Sequence, residues 1–183
     1  TRVGYAGGTK QKPTYYSMGD HTEAISIDYD PEVISYNDLL DHFWNAHRCD
    51  SNNSSRQYMN AVFYQNDEQH KAATASLEAQ AKRLGIDPSK VKTHILPVLE
   101  FTYAEGYHQK YYLTRYSDIR DFLSETYPDA KSLADCTVAT RLNAYLGTGM
   151  DKDWKAFLAE IPRYGLPEDS EQRLIKAVEQ KLQ

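Results

Sequence analysis

The sequence has few cysteines, no long apolar run and no excess of positive charge. Only two of its 183 residues are cysteine, Cys49 and Cys136, which excludes a disulfide-built scaffold and fits a reducing compartment. No apolar run approaches the roughly 18–20 residues that span a bilayer, so we expect no membrane partner. The net charge is −5, so no basic field favours nucleic acid as a partner. A folded globular protein is therefore expected.

The chain begins with Thr1 rather than methionine. We therefore interpret it as a fragment, a processed product or a trimmed chain, and any targeting segment would lie upstream. The low cysteine content favours a cytoplasmic location, while a mitochondrial or other organelle location stays open.

Motifs for metals and phosphates are also missing. The six histidines are scattered, and His42 and His47 are five residues apart, the wrong spacing for a shared helix face. The segment VGYAGG (3–8) has neither the GK[ST] ending of a P-loop nor the order of a dinucleotide fingerprint. We therefore predict no metal site and no bound cofactor.

Hydrophobic periodicity predicts an α/β (α+β) fold class with two parts. Residues 1–116 mix strand and helix patterns, and 117–183 show only helical stripes, so we expect a domain over 1–116 with a helical extension over 117–183 packed on it. The predicted strands are 22–29, 56–64 and 92–101, the last interrupted by Pro97, which belongs at an edge or bulge. The predicted helices of the first part are 36–47, capped by Ser35, and 67–84, followed by Gly85.

A polar and aromatic group of residues is the most informative feature. It comprises Tyr15, Glu23, Tyr58 and the run 103–112, in a chain with 15 tyrosines. Each has an ordinary structural interpretation: Glu23 as a solvated carboxylate at the mouth of a strand, and Tyr58 as a core residue with its hydroxyl at the surface. From residue types alone, structural and functional interpretations both stay open.

Four segments resemble the methionine sulfoxide reductase A family. They are VGYAGGTKQKPTY (3–15), GDHTEAISIDYDPEVISYNDLLDHFWNAH (19–47), RQYMNAVFY (56–64) and EFTYAEGYHQKYYL (100–113), in the family's order and with similar spacing. The resemblance implies a two-layer sandwich with a mixed sheet and a ferredoxin-like core. It also implies reduction of the S-epimer of methionine sulfoxide, free or in proteins, as a repair reaction in oxidative stress.

In this family a cysteine thiolate attacks the sulfoxide sulfur and becomes a sulfenic acid, which a second thiol then reduces, usually with thioredoxin as the final reductant. Carried over to this sequence, the family's acidic residue is Glu23, which would protonate or hydrogen-bond the sulfoxide oxygen. The tyrosines are Tyr15 and Tyr58, whose hydroxyls would hold the same oxygen. The resemblance further implies five substrate-pocket candidates, which are Tyr5, His21, Asn53, Tyr107 and His108.

The match departs from the family pattern in two places. The family's nucleophile lies in a GCFWG-like motif about 15–20 residues before VGYAGG, so we expect it upstream of Thr1. Cys49, in the loop after the first predicted helix, is a candidate resolving thiol, and Cys136 is interpreted as a small buried hydrophobe.

The loop before Tyr58 is shorter than usual in the family. By sequence position, Asn53 is nearest to an aspartate of the family, and Asp50 is an alternative. A non-catalytic homologue that binds methionine sulfoxide or a protein partner is therefore the alternative function.

Overall fold

The computed structural model describes residues 1–51, 55–147 and 153–180, and within these ranges it confirms the mixed α/β fold class. The strands are Arg2–Ala6 (β1), Thr22–Ser26 (β2), Ala61–Tyr64 (β3), His94–Pro97 (β4) and Phe101–Tyr103 (β5). The helices are Tyr36–Asn45 (α1), Asp67–Leu84 (α2), Ser117–Thr126 (α3), Ala130–Asp135 (α4), Thr137–Leu146 (α5), Trp154–Glu160 (α6) and Glu168–Glu179 (α7).

The chain divides into two compact units. One is residues 4–103 and the other is residues 1–3 with 104–183. We call them the strand unit and the helical unit. The predicted domain boundary after residue 116 stays a prediction.

The strands form two small sheets rather than one. The first has the order β2-β1-β5, with β1 and β5 antiparallel and Tyr5 opposite Thr102. The second pairs β3 and β4 in parallel, with Val62 opposite Ile95. The described residues thus contain both parallel and antiparallel pairing, in two separate sheets.

Two helices, α1 and α2, pack with the parallel pair of the strand unit, and side-chain caps begin both of them. The Ser35 hydroxyl accepts from the Asp38 amide, and the Asp38 carboxylate accepts from the Ser35 amide, which closes a capping box. Gly85 ends α2 with a φ of 65°. The Trp44 indole donates to the Ser76 hydroxyl at 2.9 Å and joins α1 to α2. Both predicted helices are confirmed, although α1 ends two residues earlier than expected.

The strand prediction for 56–64 is wrong over its first half. A 3₁₀ turn, Arg56–Tyr58, precedes β3, because the amides of Tyr58 and Met59 donate back to Ser55 and Arg56. The predicted strand 92–101 is also divided, and only β4 and β5 are present. Pro97 is the last residue of β4, where the lack of an N–H donor disrupts strand pairing least.

The glycines of VGYAGG allow close packing within the strand unit. Gly7 has a φ of 76°, and a Cβ atom there would lie 2.4 Å from the Phe63 ring. A Cβ at Gly8 would lie 2.6 Å from the ring of His21. These distances exclude a side chain, so the motif serves the fold.

The helical unit has its own apolar core. Its fully buried members include Leu113, Leu123, Leu142, Phe157 and Leu174. No helix among the described residues has the length and apolar character needed to cross a membrane.

Cys136 lies between α4 and α5. Its sulfur accepts from the Ala139 amide at 3.4 Å, so it caps α5. The predicted burial of Cys136 is confirmed.

Candidate active site

The loop that follows β1 is held by hydrogen bonds to the side chains of Asp20 and His21. The Asp20 carboxylate accepts from the amides of Thr9 and Lys10 at 2.9 and 3.1 Å and from the Thr9 hydroxyl. The backbone hydrogen bonds from Thr9 and Lys10 hold the pKa of Asp20 at about 2. The buried His21 ring accepts from the Gly8 amide through Nδ1, so its Nε2–H donates to the Lys10 carbonyl at 2.8 Å.

A tight turn in this loop presents two adjacent tyrosines. Thr14 and Ser17 exchange backbone hydrogen bonds of 3.3 and 3.0 Å, which places Tyr15 and Tyr16 at the centre of the turn. The Lys10 ammonium also contacts the Ser17 hydroxyl. The two rings meet edge to face, with centroids 5.3 Å apart.

The 3₁₀ turn Arg56–Tyr58 is fixed against this loop and against the start of β2. The Arg56 guanidinium donates to the carbonyls of Asp20 at 3.0 Å and Gly7 at 2.9 Å. The Thr22 hydroxyl donates to the Arg56 carbonyl at 2.9 Å. These three bonds place the residues that follow Arg56 next to Glu23, the second residue of β2.

Glu23, Gln57, Tyr58 and Tyr15 then form one hydrogen-bonded cluster, which we call the polar cluster. The Gln57 amide nitrogen donates to the Glu23 carboxylate at 2.7 Å and to the Tyr58 hydroxyl at 3.0 Å. Tyr58 is in turn hydrogen-bonded to Tyr15. The structure thus brings together the three residues to which the sequence analysis assigned catalytic roles.

The hydrogen bond between Tyr58 and Tyr15 perturbs the Tyr58 phenol. The hydrogen bond to Tyr15 is the main cause that raises the pKa of the Tyr58 phenol, with loss of solvation and the nearby Glu23 charge adding to it. Gln57 thus donates to the Tyr58 hydroxyl, and Tyr58 shares a further hydrogen bond with Tyr15.

The polar cluster is accessible and adjoins an apolar groove. Tyr15 and Tyr58 expose 37% and 47% of their surface. Glu23 also lines a groove of about 360 Å³ in the strand unit. The other residues that line the groove are mostly apolar and include Ile25, Ile27, Leu39, Phe43, Met59 and Phe101.

The remaining predicted pocket residues do not belong to the polar cluster. Tyr5 is buried in β1, and His21 is buried and holds the loop. Tyr107 and His108 lie in the helical unit, where their rings are 4.3 Å apart and Tyr107 is 57% exposed. Asn53 lies outside the described residues. A substrate contact by any of these five stays a prediction.

Both cysteines of the chain are buried. Cys49 is 1% exposed and packs with Leu40, Trp44 and Ala73, and the Gln80 amide donates to its sulfur at 3.8 Å. Cys136 is 6% exposed in the helical unit. The resolving role predicted for Cys49 therefore requires its loop to open. Among the described residues, no group of three histidines, cysteines or carboxylates could hold a metal ion.

The sequence analysis missed Gln57 because it assigned this segment to a strand. Consecutive side chains in a strand point to opposite faces, which would separate Gln57 from Tyr58. In the 3₁₀ turn the two side chains meet at 3.0 Å. Arg56 was missed because its backbone partners, Asp20 and Gly7, are distant in the sequence.

The chain is similar to known proteins of one family. The family model described as "Peptide methionine sulfoxide reductase" matches residues 1–134. The chain is 43% identical over 183 residues to the peptide methionine sulfoxide reductase of Drosophila melanogaster, covering 98% of this chain and 71% of that protein. It is 41% identical over 121 residues to peptide methionine sulfoxide reductase MsrA of Methanosarcina acetivorans, covering 61% of this chain and 64% of that protein.

A solved structure is also similar. The reduced form of Mxr1 from Saccharomyces cerevisiae matches with a TM-score of 0.56 and 29% identity, over 62% of this chain and 69% of that chain. The match to a family model over most of the chain defines the class, and the chain belongs to the peptide methionine sulfoxide reductase family.

Proposed function

We propose that the protein that contains this chain reduces the S-epimer of methionine sulfoxide, free or in proteins, to methionine. The observation that carries the proposal is the polar cluster, in which one carboxylate and two accessible phenols share a hydrogen-bond network. A sulfoxide has one strongly accepting oxygen, and a carboxyl group with two hydroxyls is suited to hold and protonate it. Family membership supports the same reaction.

The proposed chemistry transfers one oxygen atom. A thiolate attacks the sulfoxide sulfur and forms an S–S bond while the oxygen takes up a proton. The S–O and S–S bonds then break as the hydroxyl group moves to the attacking sulfur, which gives a sulfenic acid and leaves the substrate as a thioether. Glu23 supplies a proton to the oxygen, and Tyr15 and Tyr58 stabilise the charge that builds on it. Gln57 positions both Glu23 and Tyr58 through its two hydrogen bonds.

We assign the attacking thiol to neither cysteine of this chain, because both sulfurs are buried. A buried thiol in apolar surroundings is a poor nucleophile. The family resemblance supports a cysteine in a GCFWG-like motif instead.

The reductant and the location are also proposals. A second thiol attacks the sulfenic acid to give a disulfide and water, and we propose that thioredoxin reduces that disulfide. A cytoplasmic location is supported by the two free cysteines, since structural disulfides are rare in reducing compartments. Recovery of the native protein in the cytosolic fraction, away from organelles, would support that location.

The test is turnover by the full-length protein. Peptides that contain either the S- or the R-epimer are incubated with dithiothreitol and, separately, with thioredoxin and its reductase. We expect reduction of the S-epimer only, with both reductants. Failure to reduce either epimer would overturn the proposed function, and tight sulfoxide binding without turnover would instead support a non-catalytic homologue.

A further inference from the structure

Tyr16 is the most exposed large apolar side chain near the polar cluster. It exposes 89% of its surface, although Tyr15 beside it exposes 37%. Transferring a ring of this size from water to a contact is favourable by about 25 cal/mol per Å² of apolar surface, so an exposed ring has free energy to gain from a partner. Its ring meets that of Tyr15 edge to face.

The backbone around Tyr16 is held before any ligand arrives. Thr14 and Ser17 close the turn, and Asp20 and His21 fix the segment on either side of it. A ring on a fixed turn loses little conformational entropy when it binds. Tyrosine also offers a large rigid surface with only two side-chain torsions, which is why it is enriched in binding loops.

The position of the ring indicates what would contact it. Tyr15 is hydrogen-bonded to Tyr58 in the polar cluster, and Tyr16 is the next residue, on the solvent side. If the sulfoxide oxygen of the substrate lies at the polar cluster, free methionine sulfoxide does not extend beyond the cluster. A polypeptide would continue past the cluster, where the exposed Tyr16 ring is within reach of its flanking residues.

We propose that Tyr16 is a specificity residue that contacts the residues flanking methionine sulfoxide in a polypeptide substrate. The inference rests on the proposed function, because the sulfoxide at the polar cluster places the flanks. It predicts a preference for peptide-bound over isolated methionine sulfoxide that depends on an aromatic ring at position 16.

The experiment measures binding separately from turnover. Accessible thiols of the full-length protein are blocked as small S-methylthio adducts, so that no substrate is consumed. Fluorescence anisotropy then follows a labelled hexapeptide with central methionine sulfoxide and alanine flanks, and N-acetylmethionine sulfoxide is measured as a competitor. The variants are Tyr16→Ala, Tyr16→Phe and, as a matched control, Val33→Ala, at an apolar side chain that is 82% exposed elsewhere in the strand unit.

Tyr16→Ala should weaken peptide binding about fivefold to thirtyfold, the usual range for truncating an aromatic contact. Its effect on the competitor should be smaller than about twofold. Tyr16→Phe and Val33→Ala should resemble the parent. Unchanged peptide binding by Tyr16→Ala, or equal weakening of peptide and competitor, would overturn the inference, and so would a parent that binds neither ligand. Normal binding in this assay with no turnover in the untreated protein would instead contradict the proposed function.

Discussion

Gln57→Leu is the change that separates positioning from acid chemistry in the polar cluster. The substitution keeps the size of the side chain and removes the amide that donates to Glu23 at 2.7 Å and to Tyr58 at 3.0 Å. A hydrogen bond to a charged group contributes about 1.5–3 kcal/mol and a neutral one about 0.5–1.5 kcal/mol. Because the polar cluster is largely solvent-accessible, the low end of each range applies, and losing both hydrogen bonds costs about 2 kcal/mol.

That loss corresponds to a decrease of roughly thirtyfold in kcat/KM. The assay is steady-state reduction of a methionine sulfoxide peptide by the full-length protein, with Gln172→Leu, at an exposed residue of α7, as the matched control. The thermal midpoint should change little in either variant, because no core contact is lost. A Gln57→Leu enzyme with the parent's kcat/KM would refute the assignment of Gln57 as a positioning residue.

Three further predictions follow from the same contacts. Arg56→Met should lower the free energy of unfolding by about 2 kcal/mol in urea titrations, because two charge-assisted hydrogen bonds to backbone carbonyls are lost. Arg56→Lys should recover only part of that stability, because a single ammonium lacks the guanidinium fork. Equal stability of the parent and both variants would contradict this prediction. Burial lowers the pKa of Lys110 from 10.5 to about 8, so the unfolded chain binds more protons between these pH values and stability should rise with pH there, by at most about 3 kcal/mol. Lys110→Met should remove that rise, and parallel pH profiles for variant and parent would count against it. In residues 1–183 alone, a thiol reagent should not label Cys49 or Cys136 rapidly, because both sulfurs are buried. The same protein should not reduce methionine sulfoxide with dithiothreitol. Fast labelling of the native protein would contradict this prediction.

The helices were predictable because their signals are local. Ser35 followed by Asp38 three residues later forms a capping box, and Gly85 adopts the left-handed conformation that ends α2. These interactions involve residues within one or two turns of each other, so sequence spacing alone identifies them.

The hydrogen bonds of the polar cluster could not be predicted from local sequence signals, because they join residues that are far apart in the sequence. Glu23 and Gln57 are 34 positions apart, and the Arg56 guanidinium reaches Gly7 across 49 positions. The aromatic and β-branched character of 56–64 favours a strand, whereas tertiary bonds from Arg56 and Thr22 hold its first residues in a 3₁₀ turn. Resemblance supplied Glu23, Tyr15 and Tyr58, but only the folded chain shows how Gln57 connects them.

The most direct test is the rate of sulfenic acid formation in a single turnover of the full-length protein. Glu23→Gln should lower that rate on the order of 10²–10⁴-fold, because the amide can donate a hydrogen bond but cannot transfer a proton. Tyr15→Phe and Tyr58→Phe should each cost less, and the double change more than either alone. If Glu23→Gln forms the sulfenic acid at the parent's rate, Glu23 is a solvated residue at the start of β2 and the account of the polar cluster is wrong.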